Sequence, residues 1–150
     1  MLVEAQLAIA GTREAIWAAI TDIENAATII KGIQRIEILE KSASGLVGLK
    51  WRETRLLFGK SADAVKWITE AVANEYYTTR AEDGGFVFLT TMRLTDGGPG
   101  GVTLVSSHDS RPQKFGAKLM SIPMRLFFKG VIRKAIVQDL TGIKAAVERK

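Results

Sequence analysis

Between residues 33 and 110 apolar and polar positions alternate in short runs broken by glycine, asparagine and aspartate, and from Phe115 onward the apolar spacing changes to three and four residues. The first pattern has the period of strands, the second that of a helix. Six β-rich runs, over residues 34–41, 47–58, 62–73, 75–82, 86–95 and 102–110, are punctuated by turn-forming clusters. Their close spacing predicts an antiparallel meander, because parallel strands need long crossovers. A further strand is predicted over 2–10, where Val3, Ala5, Leu7 and Ile9 alternate with Glu4 and Gln6. After Gly11, Thr12 is placed as an N-cap, and Ile16, Trp17 and Ile20 form a stripe that predicts a helix over 13–20. Asp22 is placed to cap a second short helix running to residue 30.

The last third predicts one long amphipathic helix over 115–149. Leu119, Ile122, Leu126, Phe127, Ile132, Ile136, Leu140 and Ile143 fall largely on one side, while Lys114, Lys118, Ser121, Arg125, Lys129 and Arg133 form a polar stripe. Pro123 removes one backbone donor from this pattern and predicts a kink or a split into two pieces. The order is strand, two short helices, six-stranded antiparallel meander, long C-terminal helix: an α+β fold in which the helix packs on a curved sheet and leaves an apolar hollow between the layers. With 150 residues the expectation is one domain over 1–150.

Composition adds exclusions. The 47% apolar and 25% charged content is that of a soluble globule, and the absence of cysteine rules out a disulfide framework and a thiol nucleophile. The first residues lack the basic leader of a signal peptide, and no run nears the roughly 18 apolar residues of a membrane span, so a cytoplasmic protein is expected. The net charge of +5 matters through its placement: between Arg111 and Lys134 there are seven basic residues and no acid. Such a stripe is either a solvated outer face or, through Lys118, Arg125 and Lys129, a contact for an anionic membrane surface. Nucleic acid is not expected as a partner, since the aromatics interleave with apolar strand positions and not with the basic stripe. Nothing in the pattern specifies an oligomeric state.

Candidate chemistry is sparse. On the run 47–58, Lys50, Arg52 and Thr54 alternate with Trp51, Glu53 and Arg55, so an inward Trp51 carries Glu53 and Arg55 inward with it. An inward carboxylate and guanidinium form a structural ion pair, or else orient a polar ligand group or serve acid–base chemistry. His108, the one histidine, shares by alternation the face of Val102, Leu104 and Ser106 and is placed either as a satisfied core or rim residue or as a general base. One histidine, no cysteine and no clustered carboxylates make no metal site, and no cofactor motif is present. Trp67, Phe86, Phe88, Phe127, Met92 and Leu94 are expected between sheet and helix, as core or as cavity lining.

The segments GTREAIWAAITDIE, with Trp17 and Asp22, and GLVGLKWRETR, with Trp51, Glu53 and Arg55 after Gly48, together with the helix from Phe115, resemble the START-like helix-grip superfamily, and in particular its polyketide cyclase/dehydrase-like branch. The resemblance covers essentially the whole chain. It implies a sheet wrapped around the C-terminal helix, with the short helices closing one end of a ligand cavity. Where relatives often carry a large aromatic in the second short helix, this chain has Thr28 and Ile29. Relatives bind lipids, sterols, polyketides, hormones or quinones, and some are enzymes, so the implied function is binding of an apolar or amphipathic small molecule. The ligand-binding set expected on that basis is Trp51, Glu53, Arg55, Trp67, Phe88, Met92, His108, Leu119, Pro123 and Phe127. Two alternatives go with it. One is a cyclase or dehydratase in the same hollow, with His108 or Glu53 as base and Arg55 stabilising an enolate-like charge. The other is a membrane-facing lipid or quinone chaperone that uses the basic stripe.

Overall fold

The computed structural model describes residues 1–57, 59–98, 101–113 and 115–149; the side chains of Leu57 and of residues 115–128 lie outside the described set. The elements follow the predicted order: β1 (Leu2–Ala10), α1 (Arg13–Thr21), a 3₁₀ segment (Ile23–Thr28), β2 (Ile33–Glu40), β3 (Lys50–Leu57), β4 (Lys60–Val72), β5 (Tyr76–Asp83), β6 (Phe86–Asp96), β7 (Gly101–Pro112) and α2 (Phe115–Glu148). The strands form one antiparallel sheet in the order β1-β7-β6-β5-β4-β3-β2, a meander with β1 added beside the last strand. The fold is the expected α+β helix-grip arrangement.

Local chemistry explains the boundaries. Thr12 caps α1 by accepting a hydrogen bond from the Ala15 amide at 3.1 Å. Asp22 does not cap a second α-helix. Its carboxylate accepts from Asn25 Nδ2 at 3.1 Å, and the six residues that follow wind as a tighter 3₁₀ turn. The strand expected from residue 47 starts at Lys50, because Gly48 has φ +95° and turns the chain just before it. The β5–β6 hairpin closes through Gly84 and Gly85, both at positive φ, the conformation a two-residue hairpin turn needs. Helix α2 runs unbroken from Phe115 to Glu148, so the expected split at Pro123 does not occur.

The core lies where the C-terminal half of α2 crosses the N-terminal edge of the sheet. Ile136, Leu140, Ile143 and Val147 bury against Val3, Ala5, Ile9, Ile16, Ile20 and Leu104. Each fully buried aliphatic side chain there contributes roughly 1.5–3 kcal/mol. Side chains of α2 also occupy the open hydrogen-bonding edge of β1. Arg133 donates to Glu4 O at 2.9 Å, Lys144 donates to Ala8 O at 3.1 Å, and the Ala10 amide donates to Glu148 Oε2 at 2.8 Å. An edge strand that would otherwise offer unpaired backbone groups to another chain is thereby covered. Among the described residues no helix is long and apolar enough to cross a membrane.

Gly142 fixes the approach of α2 to the 3₁₀ segment. A Cβ built there would lie 2.3 Å from Ile29 O, so the helix passes the backbone at a distance that no other residue permits. A mid-helix glycine costs about 1 kcal/mol relative to alanine. Close contact is the physical reason for it here.

Candidate ligand-binding site

The strand phase decides the site. The β3–β4 register runs without a bulge from Lys50↔Trp67 to Leu57↔Lys60, so Trp51, Glu53 and Arg55 share one face from end to end. That face is the inner one: Trp51 is 3% and Glu53 5% exposed. The alternate residues point outward, where Arg52 Nη1 donates to Glu37 Oε1 at 2.7 Å and the Thr54 hydroxyl to Asp63 Oδ1 at 2.7 Å.

Inside, Glu53 anchors a charged network. Its Oε2 accepts from Arg55 Nε at 2.5 Å and from Lys66 Nζ at 3.0 Å, and its Oε1 accepts from Trp51 Nε1 at 3.3 Å. The guanidinium of Arg55 then turns to Asp139 on α2, meeting it through two hydrogen bonds of 2.9 and 3.3 Å, the geometry in which a guanidinium is strongest and most selective. Two cations balance two carboxylates, as buried charge requires. Burial by itself would raise the Glu53 carboxyl; the nearby charges of Lys66 and Arg55 and their hydrogen bonds outweigh it and hold Glu53 at about 2. For Arg55, burial works against the charged form, and Glu53 and Asp139 more than compensate, so its pKa is raised. Glu53 is thus a fixed anion with its acceptors occupied, a poor proton acceptor at neutral pH.

His108 faces the same interior from β7, opposite Thr90 on β6, whose hydroxyl lies 3.3 Å from His108 Nδ1. Burial, then the positive charges of Lys66 and Arg55, push its pKa down to about 4 against a smaller opposing effect of Glu53. The imidazole is therefore neutral at physiological pH. Tyr77 is not available as an acid either: its hydroxyl donates to Ile20 O at 2.9 Å, and burial raises its pKa.

Two cavities border this point. The inner one, about 90 Å³, is walled by Ile20, Ile23, Ile29, Ile30, Met92 and Ile143 and floored by Glu53, Arg55, Lys66, Thr79, Ser106 and Asp139. The outer one, about 280 Å³, is lined by Met1, Val3, Phe86, Phe88, Leu89, Pro112 and Ile132, with Asp109 and Ser110 as polar groups at its wall. Thr90 and His108 line both. Charged groups thus gather at the floor of the inner cavity, aromatic side chains line the outer one, and a neutral histidine borders both.

The expected site residues divide accordingly. Trp51, Glu53, Arg55, Met92 and His108 line the inner cavity, and Phe88, 39% exposed and stacked on Phe86 at 6.1 Å, lines the outer one. Trp67 does not belong with them. It pairs with Lys50 on the outward face of the sheet, with the Lys50 ammonium 5.8 Å from its ring, because β4 turns Lys66 and Ile68 inward on either side of it. Leu119, Pro123 and Phe127, and the basic residues Lys118 and Arg125, have side chains outside the described residues; Lys129 is exposed. Sequence reasoning missed Lys66, Asp139, Thr79 and Thr90. Asp139 left a readable signal, a lone acid in the apolar stripe of Ile136, Leu140 and Ile143. Among the described residues no cluster of His, Asp and Glu is suited to hold a metal ion.

A curved antiparallel sheet gripping a C-terminal helix, with a hollow between the layers, defines the START-like helix-grip class. Within it, the chain belongs to the family described as polyketide cyclase / dehydrase and lipid transport, whose model matches residues 2–148. Solved structures agree on the fold. The Zhui aromatase/cyclase from Streptomyces sp. R1128 superposes with a TM-score of 0.81 at 18% identity, covering 99% of this chain and 94% of that one. A protein from Thermus thermophilus gives 0.80 at 14% identity over 99% and 98% of the two chains. A START superfamily protein from Mycobacterium smegmatis gives 0.77 at 16% identity over 99% and 97%. No curated protein matches the sequence significantly.

Proposed function

We propose that the protein binds a small amphipathic molecule in the hollow between the sheet and α2, its apolar body in the outer cavity and its polar end against the inner floor. One observation carries this reading: a chamber of about 280 Å³ lined largely by apolar and aromatic side chains and one of about 90 Å³ floored by Glu53, Arg55, Lys66 and Asp139 share the walls Thr90 and His108. Apolar burial at roughly 25 cal/mol per Å² supplies most of the affinity, and the few polar groups set orientation. The family's description, which includes lipid transport, points the same way. Gentle native mass spectrometry of freshly purified protein should show a fraction carrying a small organic molecule that is lost on denaturation. Protein that neither co-purifies with such a mass nor takes one up from a mixture of lipids and aromatic compounds would count against the reading.

One observation favours a second reading, cyclase or dehydratase activity in the same hollow. His108 is neutral and stands near two cations, Arg55 and Lys66, whose charges act on it. An unprotonated imidazole can accept a proton, weakly here because its pKa is pushed down to about 4, and the same cations that lower it stabilise the enolate charge left behind. Glu53 is excluded from the role of base by its occupied oxygens.

A further inference from the structure

Lys66 differs from the other charged groups of the inner cavity. Arg55 is bonded to both carboxylates, Glu53 and Asp139, while Lys66 has one hydrogen-bond partner among the described residues, Glu53 Oε2. An ammonium carries three donors, so two are uncommitted among the described residues and can serve a guest. The sheet register also leaves space around it. The cross-strand neighbour of Lys66 on β5 is Ala81, and that of Ala81 on β6 is Phe88. Lys66 and Phe88 therefore stand in one row across the sheet, about 10 Å apart at the usual strand spacing, with only a methyl group between them. Beside that row runs a second one, Thr79, Thr90 and His108, neutral and hydroxyl-rich.

We infer that the ligand carries an acidic oxygen, a carboxylate on an aromatic or fused-ring body, which Lys66 receives in the inner cavity while Phe86 and Phe88 hold the rings. The inference rests on the cavity reading above and names its ligand class. The charges at His108 agree with it: beside that imidazole the positive influence of Lys66 and Arg55 outranks the negative one of Glu53, although the four charges of the inner floor balance as a set. The carboxylates that border the two cavities are each held by a cation, Glu53 by Arg55 and Lys66, Asp139 by Arg55, and Asp109 by Arg111 and the Met1 ammonium, while Thr90 and His108 are neutral hydrogen-bonding partners.

The test uses two probes of nearly equal shape, 1-naphthoate and 1-naphthamide, titrated into the intact protein at pH 7 by calorimetry. The acid should bind about tenfold tighter than the amide, a difference of roughly 1.4 kcal/mol. Lys66→Met should abolish that preference, and Lys66→Arg should retain it. Equal binding of acid and amide overturns the acidic-oxygen inference while leaving the cavity reading intact. A preference that survives Lys66→Met overturns the role of Lys66. Failure of both probes to bind at millimolar concentration contradicts the cavity reading, and the inference falls with it. Should Lys66→Met not fold, the acid-to-amide ratio of the unmodified protein decides alone.

Discussion

Glu53→Ala should destabilise the protein by about 3 kcal/mol at pH 7, the low end of the range for removing one partner from a buried ionic network. The reason is what remains among the described residues: Trp51 Nε1 and Lys66 lose their acceptor, and Arg55 is left with Asp139. For a chain of this length the loss corresponds to a fall in Tm of about 6–12 °C. Glu53→Gln, which keeps the shape and one acceptor oxygen, should lose less. The effect has a defined pH dependence. Because the folded protein holds Glu53 at about 2 against an ordinary 4.5, its contribution is fully present above pH 4.5 and disappears as pH falls from there toward 2. Urea melts at pH 7 and pH 3 should therefore show a smaller gap between the unmodified protein and Glu53→Ala at the lower pH. An unchanged gap, or a stable Glu53→Ala at pH 7, contradicts the role assigned to the network.

The second large effect is at Gly142. Alanine there gains about 1 kcal/mol of helix propensity and nevertheless should destabilise by about 2 kcal/mol net, because its Cβ meets Ile29 O at 2.3 Å and the obstacle is backbone rather than the tip of a flexible side chain. Gly130 in the same helix has nothing among the described residues within 4 Å of an added methyl, so Gly130→Ala should stabilise by roughly 0.5–1 kcal/mol. Opposite signs in thermal melts of the two variants are the expected result. A stabilised Gly142→Ala would mean that α2 does not pass so close to the 3₁₀ segment, and the wall of the inner cavity formed by Ile29 and Ile30 would have to be redrawn.

The fold was legible because its two periodicities are clean. Along β3 every second residue from Trp51 to Arg55 faces inward, and the absence of a bulge against β4 let simple alternation place Glu53 and Arg55 correctly. The same logic failed at Trp67. In Val65, Lys66, Trp67 and Ile68 apolar residues occupy both phases, so composition drew attention to the large aromatic, while the partner that reached the site was the lysine before it. Thr79 and Thr90 were illegible for a different reason: threonine suits either face of a strand, and only the pairing of Thr79 with Thr90 and of Thr90 with His108 gives them a common place. The second short helix became a 3₁₀ turn because the Asp22 side chain was taken by Asn25 rather than by a backbone amide. Electrostatics lay beyond the sequence altogether. An isolated histidine suggests a near-neutral pKa, and it is the shared enclosure with Lys66 and Arg55 that pushes His108 down to about 4.

The central claim is that one molecule occupies both chambers at once. Nuclear magnetic resonance with labelled tryptophan and phenylalanine, during titration with 1-naphthoate, tests it most directly. The Trp51 indole and the Phe86 and Phe88 ring signals should shift together, along saturation curves that give the same Kd, because Trp51 lines only the inner cavity and the two rings line only the outer one. Phenylalanine signals that move while Trp51 stays still, or separate curves with different Kd values, would contradict it.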